Sequence, residues 1–352
     1  MKPTLPLLVL AITAGTALAQ PTVRYLTPLG AEFFEGNSAS DIMFGNWGPA
    51  TRVQQIDNNL TGSLLPVITY IGWRRNGAGN VGAPKTTDVT VTMSHADYNL
   101  VGATYASNYK DPPVVVFTRK PVNLPDWNTP TTVSPAPMDA VLFLDVPFAY
   151  NGTDALLYDV QNENNPLGIY TQDWSSGTLA HTYGAYPAEL GGSCTTPNGA
   201  MLQRTAARAN TTVLEFGFVV SGAPSSVPLV LSLGATDPNA GLPGLCGRIR
   251  AFPDITLPLG TSDAGGALAL SFPLSTGWQQ FYANRTLYTQ VLAPDVSQPG
   301  LPLALSNGLA VTTPATGAAG QINVKRIYST NGANNATGTG PAVSAVPTLF
   351  GF

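Results

Sequence analysis

Two histidines, five glutamates and two cysteines are the scarce reactive groups of this 352-residue chain, and their surroundings bound its chemistry. Serine catalysis needs a base beside the nucleophile, usually a histidine. His95 lies in "SHADYN" and His181 in "LAHTYGAY"; both read as surface or hydrogen-bonded side chains. Ser262, in "TSDAGG", has no G-x-S-x-G setting, so no nucleophile elbow is expected there. A glycosidase needs two carboxylates across one cleft. Glu32, Glu35, Glu163, Glu189 and Glu215 are scattered, and Glu215, in "VLEFGF", reads as the solvent-facing member of an alternating strand. The usual zinc ligand sets are not expected from Cys194, Cys246 and two histidines. Calcium prefers clustered oxygens. "YNGTDALLYDVQNENN" offers Asp154, Asp159 and Glu163 for it, without EF-hand spacing, and otherwise reads as a polar loop.

Binding chemistry is better supplied. Sugar rings stack on indole and phenol faces. The five tryptophans are Trp47, Trp73, Trp127, Trp174 and Trp278. Trp73 follows an apolar run and reads as core. Trp127 ("LPDWNTP") and Trp174 ("TQDWSSG") lie in turn-rich text and are expected to be exposed, with Tyr183 and Tyr186 as further ligand-binding candidates.

These side chains must be positioned by strands. Charged residues are 10% of the chain, hydrophobic ones 44%, with 36 glycines and 31 prolines, a balance that favours short strands joined by turns. A net charge of −4 argues against a nucleic-acid partner, and "WRR" (Arg74, Arg75) and "GRIR" (Arg248, Arg250) read as exposed strand-end charges. Met1 to Ala19 reads as a cleaved signal peptide ending in Ala17-Leu18-Ala19, so export is expected. No later segment is apolar for long enough to be a transmembrane helix. In an exported chain Cys194 and Cys246 are expected to form a disulfide. The 31 prolines weigh against an outer-membrane barrel.

"TTDVTVTMSH" alternates Val89, Val91 and Met93 with Thr90, Thr92 and Ser94, as a half-buried antiparallel strand does. Similar runs recur with no amphipathic helix between them, so an all-β fold is expected: two antiparallel β-sandwich or jelly-roll-like domains. Residues 20–190 read as the first, 191–313 as the second, and 314–352 as a Gly/Ala/Thr/Asn-rich tail with one or two strands. Asn307-Gly308, in "GLPLALSNGLAVTT", reads as a two-residue turn between strands.

Several stretches carry a resemblance: "LCGRIRAFPDITLPLGTSDAGGALALSFPL", "GWQQFYANRTLYTQVLAPD" and "GLPLALSNGLAVTT" in the second half, and "EGNSASDIMFG", "ITYIGWRRNG" and "TTDVTVTMSHADYN" in the first. They resemble uncharacterised secreted β-sandwich proteins of planctomycete-like bacteria. The resemblance implies a secreted or surface β-protein without transferable catalytic residues. The expected role is non-enzymatic, structural or adhesive, at the cell surface or outside it. A carbohydrate-binding protein acting on extracellular polysaccharide stands second and a secreted hydrolase third. The expected partners are extracellular polysaccharide or another cell-surface protein.

Overall fold

The computed structural model describes residues 24–351 apart from 29, 61–66, 78, 80, 131–134, 177–181, 185–186, 211–212, 275–281 and 316–321. The signal-peptide segment, His181, Tyr186 and Trp278 lie outside the described residues.

In chain order the first strands are β1 (Arg24–Thr27), β2 (Ser38–Ser40), β3 (Thr51–Asp57), β4 (Ile68–Trp73), β5 (Lys85–Ala96), β6 (Val114–Leu124), β7 (Ala140–Phe148), β8 (Ala155–Glu163) and β9 (Gln172–Ser176). The middle strands are β10 (Thr182–Tyr183), β11 (Ala188–Gly191), β12 (Thr195–Thr196), β13 (Gly199–Ala200), β14 (Leu202–Ala209), β15 (Leu214–Ser221), β16 (Pro228–Gly234), β17 (Ala240–Gly241), β18 (Arg248–Ile249), β19 (Ile255–Thr261), β20 (Leu268–Leu274), β21 (Thr286–Pro294), β22 (Leu303–Leu305) and β23 (Gly308–Thr312). The last are β24 (Val324–Ser329), β25 (Thr339–Ala345) and β26 (Thr348–Gly351). The fold is all-β with antiparallel sheets, and the helical turns among the described residues are two short 3-10 turns at Tyr98–Leu100 and Tyr105–Asn108 and a bend near Tyr282. No helix among the described residues is long and apolar enough to cross a membrane.

Two sheet pairs each enclose a core. In the first, the sheet β1-β26-β4-β7 covers the long sheet β2-β9-β25-β24-β3-β8-β5-β6. Ile71, Trp73, Leu142 and Phe350 from one meet Val53, Val89, Val91, Met93 and Tyr158 from the other. The alternation of β5 reaches the core as its sequence implies: Val89, Val91 and Met93 are fully buried. In the second pair, β10-β14-β15-β20 faces β11-β23-β21-β16-β19, with Phe216, Phe218 and Val220 against Leu229, Leu231 and Val291. Phe33 and Phe34, before β2, pack on Ala206 of β14 and join the two halves, with a Glu32–Arg204 ion pair at 2.7 Å beside them.

Strand pairing crosses the boundaries drawn from sequence. β10 and β11 hydrogen-bond to β14 and β23, so residues before 191 already belong to the second pair of sheets. From the tail, β24 pairs with β3, β25 with β9, and β26 lies between β1 and β4. The end of the chain therefore completes both sheets of the first sandwich. Partner choice in a sheet is non-local, and strand spacing along the chain carries no signal for it.

The sheet edges share a device. β1, β2, β10 and β11 are edge strands of at most four residues. The longer edge strands β6, β7, β19 and β20 contain Pro121, Pro147, Pro258 and Pro273. Short length and missing N–H groups both block pairing with another chain.

The Asn307-Gly308 turn is corrected. β22 and β23 both pair with β21, Leu305 opposite Leu292 and Leu309 opposite Thr289. Ser306 and Asn307 are thus an interruption in one continuing edge and do not reverse the chain. The Ser306 hydroxyl accepts the Val291 N–H at 2.8 Å, and Asn307 Oδ1 accepts the Gln203 N–H at 2.6 Å. A Cβ at Gly308 would stand 2.1 Å from Cβ of Arg250, which is why this position takes glycine. The stretch builds the fold.

The disulfide forms as expected, Cys194 to Cys246 across 52 positions, and ties the β17–β18 loop to the buried end of β22. On the chain-entropy account such a loop contributes about 4 kcal/mol. The double variant Cys194→Ser/Cys246→Ser should lose that amount in urea unfolding, with a slope that rises as the unfolded chain loses its tie; a loss below about 1 kcal/mol would assign the tie no role in stability.

Candidate functional site

β9 lies next to last in the long sheet, between β2 and β25, and its two faces carry opposite kinds of polar group. Side chains alternate across a strand, so Asp173 points one way and Gln172 and Trp174 the other.

On the Asp173 face the Asp173 carboxylate and the Arg74 guanidinium are satisfied, while Glu35 Oε2 and Arg75 Nε nearby are not. Its carboxylate accepts the Gly36 N–H at 2.9 and 3.0 Å, and Arg74 donates from Nε at 2.8 Å and Nη2 at 2.5 Å. Arg74 also donates to the carbonyls of Ala31 at 2.5 Å and Phe34 at 2.7 Å. Arg74 follows β4 directly, and the backbone N–H of Asp173 returns a bond to the Arg74 carbonyl. The next residue, Arg75, pairs with Gln172 and donates to the carbonyls of Thr129 and Trp127. "WRR" is therefore not an exposed strand end: both arginines are buried, because the segments between β1 and β2 and between β6 and β7 supply carbonyl acceptors. Glu35 stands 3.9 Å from Arg74 and accepts the Ala136 N–H at 2.7 Å. Burial pushes its carboxyl above the usual range, with Arg74 opposing the rise. Asp173 is committed to three N–H donors through four hydrogen bonds.

The opposite face is under-satisfied. Arg326 of β24 is buried, with its guanidinium 4.3 Å from the Trp174 ring and 5.4 Å from that of Tyr328. Its Nη1 donates to Ser40 Oγ at 3.2 Å. Among the described residues no carboxylate pairs with it, and burial lowers its pKa to about 10. Arg326 Nε, Trp174 Nε1, Ser344 Oγ and both amide atoms of Gln172 are buried without a hydrogen-bond partner. Register puts them together: Gln172 is opposite Ser40, Ser344 opposite Ser176 two residues from Trp174, and Arg326 opposite Ala342 two residues from Ser344. An unpaired buried cation costs several kcal/mol, of which ring stacking returns about 2.

The other candidates are dispersed. Trp127 is not exposed; it is fully buried, stacked on Tyr170 at 4.2 Å, with its indole N–H given to Asp139 at 2.8 Å. Its turn is drawn under by a backbone bridge to Gly82, a contact local text does not announce. Tyr183 packs 6.1 Å from Phe34 and covers Gly30, where a Cβ would lie 2.0 Å from the ring. It joins the two halves and offers no free face for a sugar. Of the four aromatic candidates, Trp174 alone is placed in a polar cluster, and Tyr186 falls outside the described residues.

The calcium set is not assembled. β8 is a central strand, so Asp159 and Glu163 are spread along it. Asp154 is held by Lys110 at 2.5 Å and Asn151 at 2.9 Å, and these partners lower its pKa. Asp159 takes Arg52 at 2.8 Å and the Tyr109 hydroxyl at 2.7 Å, under the loop that covers the outer face of the sheet. Glu163 pairs with Arg119 at 2.9 Å. Among the described residues no three His, Cys, Asp or Glu side chains are grouped to hold a metal. Glu215 pairs with Arg208 at 2.6 Å across the β14–β15 ladder.

His95 is fixed at both nitrogens. Nδ1 meets Asp111 at 2.7 Å and Nε2 faces the Asn151 N–H at 3.1 Å. Nε2 is the acceptor, so the proton sits on Nδ1 and neither nitrogen is open to a hydroxyl.

No family model matches the chain, and no curated protein matches it. Among solved structures it is similar to the crystal structure of a beta-1,2-glucanase from Parabacteroides distasonis, at 9% identity and a TM-score of 0.16. The match covers 81% of this chain and spans 39% of that protein's length. A likeness this low carries no argument about fold or activity.

Removing Asp173 would strand Arg74 in the core. Asp173→Ala should cost about 3–5 kcal/mol in chemical denaturation; an effect below about 1 kcal/mol would show that the clamp is not needed. Asp57, at the end of β3, is fully buried and pairs with no cation among the described residues, and burial raises its pKa to about 6 against hydrogen bonds from Thr27 and Asn59. The folded state thus binds this proton more tightly than the unfolded chain. The contribution is complete below about pH 4 and is lost as pH rises through about 6, by about 3 kcal/mol in total. Asp57→Asn can accept from Asn59 and donate to Thr27, so it should raise the melting temperature at pH 8 while leaving pH 4 nearly unchanged. Equal shifts at both pH values would refute the assignment.

Proposed function

We propose that the chain is a secreted or cell-surface protein with a structural or adhesive role and no catalysis of its own. The carrying observation is how its reactive side chains are used: His95, Asp154, Asp159, Glu163 and Asp173 each tie one backbone segment to another. The expected signal peptide and the resemblance to secreted bacterial β-sandwich proteins support the location. The blocked edges favour contact through faces and loops over strand addition.

Carbohydrate binding is a second reading, favoured by Trp47. Its indole is 52% exposed while its N–H is held by Asp41. Asn165 ties the Trp47 loop through the carbonyls of Gly45 and Gly48, and the exposed Leu167 and Ile169 follow in the same segment. A pre-oriented aromatic suits a sugar face.

The chain from Gln20 should be passed over cell-envelope fragments and insoluble polysaccharides and assayed with chromogenic glycosides and esters. Retention by envelope material with no turnover is the expected result. Retention by a pure polysaccharide that weakens about tenfold in Trp47→Ala, roughly 1.4 kcal/mol, would put carbohydrate binding first. Turnover of any substrate would overturn both readings.

A further inference from the structure

We propose that the cluster around Arg326 is a binding site for a carboxylate, with Trp174 as the wall against which the body of the ligand lies. The inference holds whether or not the chain is adhesive, because it concerns one buried site.

Three observations carry it. First, Arg326 is 2% exposed and lacks a carboxylate partner, whereas Arg74, Arg52, Arg119 and Arg208 each have one. Second, the unpaired atoms around it make a mixed set. Arg326 Nε and Trp174 Nε1 are donors, Ser344 can donate or accept, and the Gln172 amide does both. A carboxylate oxygen suits the donors, and a neighbouring hydroxyl of the same ligand suits the Gln172 carbonyl. Third, Trp174 is partly exposed and paired with the three-residue edge strand β2, so the cluster lies beside the rim of the sheet. One Trp174 face is occupied by the guanidinium.

The charge selects the ligand. Near β9, Arg74, Arg75 and Arg326 are buried cations, and the Asp173 carboxylate is taken up by Arg74 and the Gly36 N–H. Arg75 also lacks a carboxylate but donates to the carbonyls of Thr129 and Trp127, whereas Arg326 has a single serine hydroxyl, and a bidentate guanidinium contact favours a carboxylate over a neutral hydroxyl group. A uronic acid joins the required carboxylate to ring hydroxyls in one molecule. The carboxylate could arrive on a free acid or on an acidic polysaccharide.

The test is calorimetric titration and thermal melting of the purified chain with sodium glucuronate, glucose and sodium chloride at matched ionic strength, followed by polygalacturonate. Glucuronate should bind at least about tenfold more tightly than glucose and raise the melting temperature. Gln172→Leu and Ser344→Ala, which leave Arg326 and its stacking in place, should each weaken glucuronate about three- to tenfold. Arg326→Met should abolish the response if it folds; the two milder variants keep the test valid if it does not. Tighter binding per carboxylate by polygalacturonate would identify a polymer as the source, and equal binding a free acid. No response to glucuronate in the folded chain up to about 50 mM, an equal response to glucose, or an unchanged response in both mild variants would overturn the proposal.

Discussion

The first sandwich depends on one buried ion pair. Arg74 emerges from β4 in one sheet and closes on Asp173 of β9 in the other, while its remaining donors take the carbonyls of Ala31 and Phe34. Three segments distant in sequence meet at one guanidinium. A planar five-donor group can span that many acceptors, which a lysine ammonium cannot. The same contact sets the path of the segment bearing Phe33 and Phe34, and these rings dock the second sandwich. Its energetic return is limited by desolvation, so its main yield is geometric: it fixes where the two sheets come together.

The end of the chain is the second constraint. β26 fills the gap between β1 and β4, and β24 and β25 fill the gap between β3 and β9. Without residues 324–351 both sheets of the first sandwich would be split, each exposing unpaired backbone groups. The first sandwich is therefore complete only with strands that follow the second one in sequence. In a β-protein this places most loop-closure cost in the latest contacts and favours slow assembly.

What the residues announced and what they hid divide along physical lines. Period-two alternation is local, so β5 and its buried Val89, Val91 and Met93 were legible, as were the antiparallel character of the sheets and the disulfide. Pairing is non-local, so the tail's return to the first sandwich and the two strands before residue 191 were not. Site residues failed for the same reason. Trp127 sits in turn-rich text, yet a bridge to Gly82 and stacking on Tyr170 bury it. Asp159 and Glu163 look like loop oxygens, but β8 is central and each finds a cation from another segment. Trp174 was visible as a candidate; Arg326 was not, because nothing in "NVKRIYS" says that β24 will lie two places from β9 in the sheet and bring the arginine to that ring.

The two faces of β9 show why a satisfied clamp and an unsatisfied cluster can share one strand. On one face, backbone N–H and carbonyl groups from irregular segments bend around the ion pair and fill its lone pairs and protons. On the other, the neighbours of Arg326 are regular strands whose backbone groups are already spent in the ladder, so only side chains can answer it. Those side chains are Ser40, Gln172, Trp174 and Ser344, none of which carries negative charge. A regular sheet can hold a cation in this way but cannot neutralise it from its own backbone. The missing charge has to come from a residue at the right register or from outside the chain, and the strands beside Arg326 place no carboxylate there.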